Sequence, residues 1–191
     1  QDETKSPLST NSVIYEWNGK KFERFQALHS TWAYSWEFFE MNGQYFLCLA
    51  DNKNMSILYR WNGRSFETFQ SFNGGGGRAF KYMEIGDKSF LAYANINKNS
   101  MIYEFKGGRW KPLQELKGLG GRNFAYFKYN GDDYLLRINH IEGTRSAPKT
   151  MLKSPLYRWN GDKFEQVEAI TTYGGASANL FMHGGQLMIA V

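Results

Sequence analysis

The sequence is nearly free of cysteine and contains no long apolar segment. Its single cysteine, Cys48, excludes an internal disulfide and lies in an apolar, strand-like run that predicts a buried thiol. No run of about 18 apolar residues is present, so the sequence predicts no membrane-spanning helix. Blocks of like charge are also missing. The net charge of +5 is scattered along the chain, which argues against nucleic-acid binding.

Motifs of catalysis are equally scarce. The three histidines, His29, His140 and His183, occupy unrelated positions, and no nucleophile or paired-carboxylate signature stands out. The glycine-rich runs lack the Lys-Ser/Thr ending of a phosphate-binding loop. A catalytic site that the fold assembles from residues distant in the sequence remains an alternative. The sequence therefore predicts a protein that is not an enzyme, with no cofactor other than a candidate calcium ion considered below.

What the sequence does contain is one motif written four times. A six-residue segment with Tyr in second place, an aromatic residue two positions later and a closing Gly recurs at residues 14–19, 58–63, 102–107 and 156–161. The tyrosines are 44, 44 and then 54 residues apart. A repeat of this length indicates a supersecondary unit that buries its apolar face only against its neighbours. Such arrays mostly serve as binding scaffolds.

Each repeat predicts four short strands. The motif strand ends in three repeats at Asn-Gly, which favours a two-residue type I′ hairpin, and a strand of alternating polarity follows. After a link that is rich in glycine in three of the repeats come two strands that are apolar on both faces. Four antiparallel strands graded from half-exposed to buried are typical of a β-propeller blade.

We therefore predict an all-β fold, a β-propeller of four four-stranded blades. The chain opens on two outer strands and closes on two inner strands, at residues 181–182 and 187–191. The last blade would then be closed by strands from both termini, which removes a free sheet edge. Residues 1–12 are predicted as a polar N-terminal tail and residues 13–191 as a single propeller domain.

A composite pattern adds a family resemblance. Tyr-x-Trp-Asn-Gly-x-x-Phe, with Gln four residues later, is clearest at residues 59–70, and residues 90–95 continue it. The pattern resembles the epilepsy-associated repeat (EPTP) of leucine-rich glioma-inactivated proteins and of a very large adhesion receptor. The resemblance implies a secreted, extracellular, non-enzymatic β-propeller used for protein recognition.

The number of repeats departs from that family, which typically has seven where this chain has four. A four-bladed ring, a fragment of a larger ring and an eight-bladed ring of two chains are all compatible with the pattern. We favour the four-bladed ring, and expect a monomer or a homodimer.

Binding residues are expected on the face that collects the glycine-rich links and the longer connections. The connection at residues 140–153 is ten residues longer than its counterparts, and Arg78 and Arg122 follow glycine links at matching positions. Arginine offers a planar fork of donors to carboxylate, phosphate or sulfate, and glycine lets a ligand approach the backbone closely. The predicted ligand-binding residues are Arg78, Arg122, Asn95, Asn139, His140 and Arg145.

Oxygen-bearing side chains at strand ends on the same face predict a calcium site in the central channel. Hard cations take several oxygen ligands, and the candidates are Asp51, Asn52, Asn95 and Asn139. The fourth repeat ends before its equivalent position. Turn capping is the other interpretation of these side chains.

Two functions fit these patterns. The first is binding of an extracellular protein through the loop-bearing face, with the insertion and the two arginines as contacts. The alternative is a multivalent carbohydrate-binding protein, a lectin for cell-surface glycans, with one site per blade or blade boundary. Neither function involves nucleic acid or insertion into a membrane.

Overall fold

The chain folds into β-strands joined by short turns. The computed structural model describes residues 10–72 and 74–191, and this part contains no helix, hence none that could cross a membrane. The strands in chain order are β1 (Thr10–Trp17), β2 (Phe22–Ser30), β3 (Ala33–Met41), β4 (Gln44–Asp51), β5 (Ser56–Trp61), β6 (Phe66–Phe72), β7 (Gly77–Ile85), β8 (Lys88–Asn95), β9 (Ser100–Lys106), β10 (Arg109–Leu116), β11 (Gly121–Tyr129), β12 (Asp132–Asn139), β13 (Glu142–Thr144), β14 (Ala147–Lys149), β15 (Met151–Trp159), β16 (Phe164–Tyr173), β17 (Asn179–His183) and β18 (Gln186–Ala190).

Three complete four-stranded antiparallel sheets, which we call blades, form the body of the protein. Blade A has the order β3-β4-β5-β6, blade B β7-β8-β9-β10 and blade C β11-β12-β15-β16. Each blade takes its two inner strands from one repeat and its two outer strands from the next, because the motif strand is always third in the sheet. The inner strands β3, β7 and β11 contact one another in succession. The prediction of an all-β fold with four-stranded antiparallel sheets is thus confirmed.

The two ends of the chain form separate hairpins. β1 pairs with β2 and β17 pairs with β18, and within residues 10–72 and 74–191 no sheet joins these two pairs. The structure therefore does not show the predicted closure of the last blade by strands from both termini. The apolar surfaces of blades A to C are buried against their direct neighbours, and this burial does not require the row of blades to close.

The N-terminal boundary also differs from the predicted one. β1 begins at Thr10, inside the segment 1–12 that the sequence predicts as a tail, because Asn11 and Ser12 already pair with His29 and Leu28. Residues 1–9 of that predicted tail lie outside the described residues.

The Asn-Gly turns after the motif strands are not the predicted two-residue type I′ turns. Four residues, 18–21, separate β1 from β2, and Asn18 does not adopt a positive φ. Its Oδ1 instead accepts the backbone N–H groups of Lys20 and Lys21, both at 3.0 Å. Asn62 and Asn160 cap their own turns in the same way. The side chain of asparagine, rather than its tolerance of positive φ, explains its presence here. Two-residue turns with positive φ at both positions occur within inner hairpins, at residues 42–43, 130–131 and 184–185, and after the third motif strand, at residues 107–108.

Blade B forms the centre of the core. The last six residues of β8 are all buried, and Phe90 contributes to a cluster of side chains that includes Leu135 of blade C. A second cluster joins blades A and B and contains Cys48. Burial, and after it the charge of Glu37, raises the pKa of the Cys48 thiol well above its usual value. The prediction of a buried thiol is confirmed.

A glutamine on the outer strand of one blade binds the backbone of the next. Gln70 donates from Nε2 to the carbonyl oxygen of Trp110 at 2.8 Å and accepts the N–H of Trp110 at 3.0 Å. We call this bidentate contact the glutamine clamp. Because it satisfies both backbone groups at the free edge of the neighbouring outer strand, it ties the rims of adjacent blades together. The same pair of bonds, at 2.8–2.9 Å, joins Gln26 to Phe66 and Gln114 to Phe164.

Removing one clamp should destabilise the protein measurably. Gln70→Ala leaves two backbone groups of the buried Trp110 without partners, so we expect the free energy of unfolding in urea to fall by about 2–4 kcal/mol. The matched control is Gln166→Ala, at an exposed position of β16, which should change the free energy by less than about 0.5 kcal/mol. Equal, small losses in the two variants would contradict a stabilising role of the clamp.

Candidate functional site

The longer connections and the glycine-rich links come together on one side of the blades, which we call the loop face. Backbone hydrogen bonds join these segments: the N–H of Gly76 donates to the carbonyl of Asn52 at 2.7 Å, and the N–H of Gly120 donates to that of Ile96 at 3.0 Å. The loop face is therefore continuous from blade to blade. Its described segments are residues 51–56, 74–77, 95–100, 118–121, 139–153 and 174–177.

Asp51 caps the turn that follows β4. Its carboxylate accepts the backbone N–H groups of Thr31 at 2.7 Å, Trp32 at 3.1 Å, Lys53 at 2.8 Å and Asn54 at 3.0 Å. Burial by itself would raise the pKa of Asp51, but these backbone donors outweigh it and lower the pKa. Asp51 thus holds its own turn and the β2–β3 connection together as a carboxylate.

The other predicted calcium ligands also have local partners, with one exception. Asn52 Oδ1 accepts from Arg78 Nη1 at 2.6 Å, and Asn95 Oδ1 accepts two backbone N–H groups of its own turn. Asn139 Oδ1 is buried without a partner among the described residues. Among the described residues, no group of three or more histidine, cysteine, aspartate or glutamate side chains could hold a metal ion. The contacts of Asp51 and Asn95 are those of turn caps, and the calcium site stays a prediction.

Arg78 and Arg122 meet at one aromatic ring. The guanidinium carbon of Arg78 lies 3.9 Å from the ring centroid of Tyr34, and that of Arg122 lies 4.8 Å from the same centroid. At these distances both cations are attracted by the face of the ring. Tyr34 is absent from the residues predicted from the sequence. The sequence signal for Tyr34 was its position in the repeat. Tyr34, Arg78 and Arg122 are 44 residues apart, and each lies at the start of one of three successive inner strands.

Arg78 is a buried cation without a carboxylate partner. It is 8% exposed, and its Nη1 also donates to the carbonyl of Gly77 at 3.2 Å. Burial lowers the pKa of Arg78; Tyr34 opposes this shift, and the charge of Arg122 adds to it. The ion pairs within residues 10–72 and 74–191 include neither arginine. Two like charges held beside one ring favour the approach of an anionic group.

The long insertion covers Arg78. It is a hairpin rather than the predicted loop, with Glu142 opposite Lys149 and Thr144 opposite Ala147, and it places Arg145 at its turn. Between the hairpin and blade B lies a cavity of about 520 Å³, which we call the Arg78 cavity. Its walls include Arg78, Asn97, Leu119, Glu142, Arg145 and Pro148. The fold thus brings together two of the predicted ligand-binding residues, Arg78 and Arg145.

Three other predicted ligand-binding residues hold the loop face together. The backbone N–H of His140 donates to Gly120 O at 2.8 Å, and its Nδ1 lies 2.9 Å from Gly174 O. Asn139 Nδ2 donates to a carbonyl of the insertion at 2.7 Å, and Asn95 Nδ2 donates to a carbonyl of the preceding glycine link at 2.8 Å. The contacts of His140 and Asn139 anchor the base of the insertion, and that of Asn95 holds a glycine link. Ligand binding by these three residues stays a prediction.

An apolar groove of about 410 Å³ lies at the N-terminal end of the array of blades, with Tyr15, Phe25 and Phe38 on its walls. Tyr15 is 58% exposed, whereas the tyrosines at the same motif position, Tyr59 and Tyr157, are 5% and 6% exposed. The groove therefore consists of packing residues left uncovered at the unpaired end of the sheets. We assign no ligand to it.

Comparison with protein families identifies the repeat. The family model described as EPTP domain matches residues 21–62 and 65–105. The resemblance inferred from the Tyr-x-Trp-Asn-Gly pattern is thereby confirmed for this part of the chain. No curated protein matches the sequence.

Two solved structures superpose on this chain at low TM-scores. A variant of the Bombyx mori GH32 beta-fructofuranosidase BmSUC1 in complex with sucrose shares 12% identity at a TM-score of 0.49, over 88% of this chain and 45% of that one. Dihydro-heme d1 dehydrogenase NirN in complex with DHE shares 15% identity at a TM-score of 0.37, over 87% and 43%. This chain spans less than half the length of either, and at these scores neither supports a conclusion about function.

Acid should weaken the protein partly through Asp51. Because its pKa is lower in the folded chain than in the unfolded one, its carboxylate stabilises the fold above the ordinary pKa of about 4. That contribution is lost as the pH falls through the folded-state pKa. Asp51→Asn, the residue type found at the equivalent positions 95 and 139, should reduce the loss of unfolding free energy between about pH 5 and pH 2.

The measurement is urea unfolding at a series of pH values, with Asp87→Asn in an exposed turn as the matched control. The role assigned to the Asp51 carboxylate would be contradicted if the free energy of unfolding depended on pH in the same way for wild type, Asp51→Asn and Asp87→Asn.

Proposed function

Because residues 21–105 are EPTP domain, we propose that this chain is a non-enzymatic, extracellular recognition module that binds an acidic segment of a protein partner at the Arg78 cavity. One observation carries the proposal. Arg78 and Arg122 share the ring of Tyr34, and neither forms an ion pair within residues 10–72 and 74–191. A carboxylate from outside the chain would supply the missing counter-charge.

The shape of the cavity supports a protein ligand. Its walls are the start of β7 and the hairpin that carries Arg145 and Glu142. Arg145 is exposed, whereas Arg78 is buried and bonded to Asn52. Two cations on one cavity suit an extended acidic peptide better than a free ion, because the peptide can engage both.

The carbohydrate-binding alternative requires near-equivalent sites in the blades, and the repeat position of Arg78 does not provide them. The residues at this position in the four repeats are Tyr34, Arg78, Arg122 and Ala176, and the two arginines contact one ring. This convergence favours a single site over one site per blade. Sugar binding would be detected by a glycan array of the purified chain.

The proposal predicts charge-dependent binding of an acidic peptide. A fluorescein-labelled hexaglutamate peptide should raise its anisotropy on binding, lose affinity with added salt, and bind far better than the hexaglutamine peptide. Arg145→Gln should weaken binding about fivefold to tenfold, because it removes one charge-assisted contact. Arg122→Gln should weaken it as well, because it removes the second cation beside Tyr34.

Arg64→Gln is the matched control, since Arg64 is exposed in a turn at the opposite end of the strands. It should leave the affinity unchanged. The proposal fails if the three variants bind hexaglutamate equally well, or if the chain binds a defined glycan and not the acidic peptide.

A further inference from the structure

Arg137 departs from the repeat in the second strand of blade C. It occupies the position held by Leu49 in β4 and by Tyr93 in β8. An arginine thus stands where the other two blades carry an apolar and an aromatic side chain. It is only 3% exposed, so its charge is withdrawn from water. Packing alone does not account for an arginine at this position.

The contacts of Arg137 leave its charge uncompensated. Nη1 donates to the carbonyl oxygens of Leu116 at 2.9 Å and Gly118 at 3.4 Å, while Nε is buried without a partner. No ion pair of the described residues includes it. Burial lowers the pKa of Arg137, and Tyr157 and Glu142 only oppose that shift. A buried cation without a counter-charge is costly, so an anion beside it would be stabilising.

Arg137 lies on the wall of a second cavity, of about 620 Å³, which we call the Arg137 cavity. Lys149 and Lys153 bring two further cations to its walls, and Glu142 brings one carboxylate. Asn139, also on the wall, is 3% exposed, and its Oδ1 has no partner. Two features that distinguish blade C from the other blades therefore line this cavity. One is Arg137, and the other is the insertion, which supplies Lys149 and Glu142.

We infer that the Arg137 cavity binds a small anionic group, a sulfate, phosphate or carboxylate. Arg137, Lys149 and Lys153 outweigh Glu142 by two positive charges, which selects an anion. This cavity is distinct from the Arg78 cavity, and Glu142 is on the wall of both.

The test uses inorganic sulfate on the whole chain. Sodium sulfate up to about 20 mM, with ionic strength held constant by sodium chloride, should shift the ¹H–¹⁵N resonance of Arg137 Nε and raise Tm saturably. Arg137→Lys, which keeps the charge and loses the Nε–H, assigns that resonance. Phosphate and acetate, titrated in the same way, rank the three kinds of anion.

A double variant, Lys149→Gln with Lys153→Gln, should weaken sulfate binding about tenfold and still fold, because both side chains are exposed. Lys20→Gln, in an exposed turn at the opposite end of the strands, is the matched control and should bind as the wild type does.

Three results would overturn the inference. They are an unshifted Arg137 resonance, an equal affinity in the double lysine variant, and a Tm change that sodium chloride reproduces. Arg145→Gln and Arg122→Gln should leave sulfate binding at Arg137 unchanged, so failure at the Arg78 cavity and failure here are distinguishable.

Discussion

The glutamine clamp is the constraint on which the rest of the structure depends. The outer strand of each blade has a free edge. Gln26 of the N-terminal hairpin, Gln70 of blade A and Gln114 of blade B each bind backbone groups near the start of the next outer strand. Two clamps span 40 residues and the third spans 50, so the ten additional residues of the third repeat do not disturb it. The insertion is accommodated because it leaves the sheet between β12 and β15, at the loop face. The fourth repeat has Glu168 at the glutamine position, and a carboxylate can accept the N–H but cannot donate to the carbonyl.

Departures from the repeat mark the places where chemistry other than packing is required. Positions that recur, such as Tyr59, Tyr103 and Tyr157, are buried or half-buried between blades. The positions that differ include the buried arginines Arg78 and Arg137 and the inserted hairpin, and both arginines line a cavity beside that hairpin. A repeat therefore supplies the scaffold, and its exceptions supply the sites.

Side chains that suggested ligands often prove to be caps. Asp51 uses both carboxylate oxygens on backbone N–H groups, and Asn95 closes its own turn. Asparagine at Asn18 and Asn62 likewise caps a turn through its side chain. A turn cap and a metal ligand need the same oxygens at the same strand ends, so spacing alone does not separate them. The structure separates the two roles, because it shows whether backbone N–H groups already bond to these oxygens.

Local pattern determined the strands, the 44-residue unit, the all-β class, the buried state of Cys48 and the position of the insertion, because alternation and turn residues act within a few neighbours. The EPTP resemblance likewise came from residues close together in the chain. Only the tertiary structure placed Arg145 over Arg78, gathered Tyr34 with Arg122, and buried Arg137 beside a cavity. It also left the terminal hairpins unpaired with each other. These outcomes depend on how blades pack across 40 or more residues, a distance over which strand periodicity carries no information.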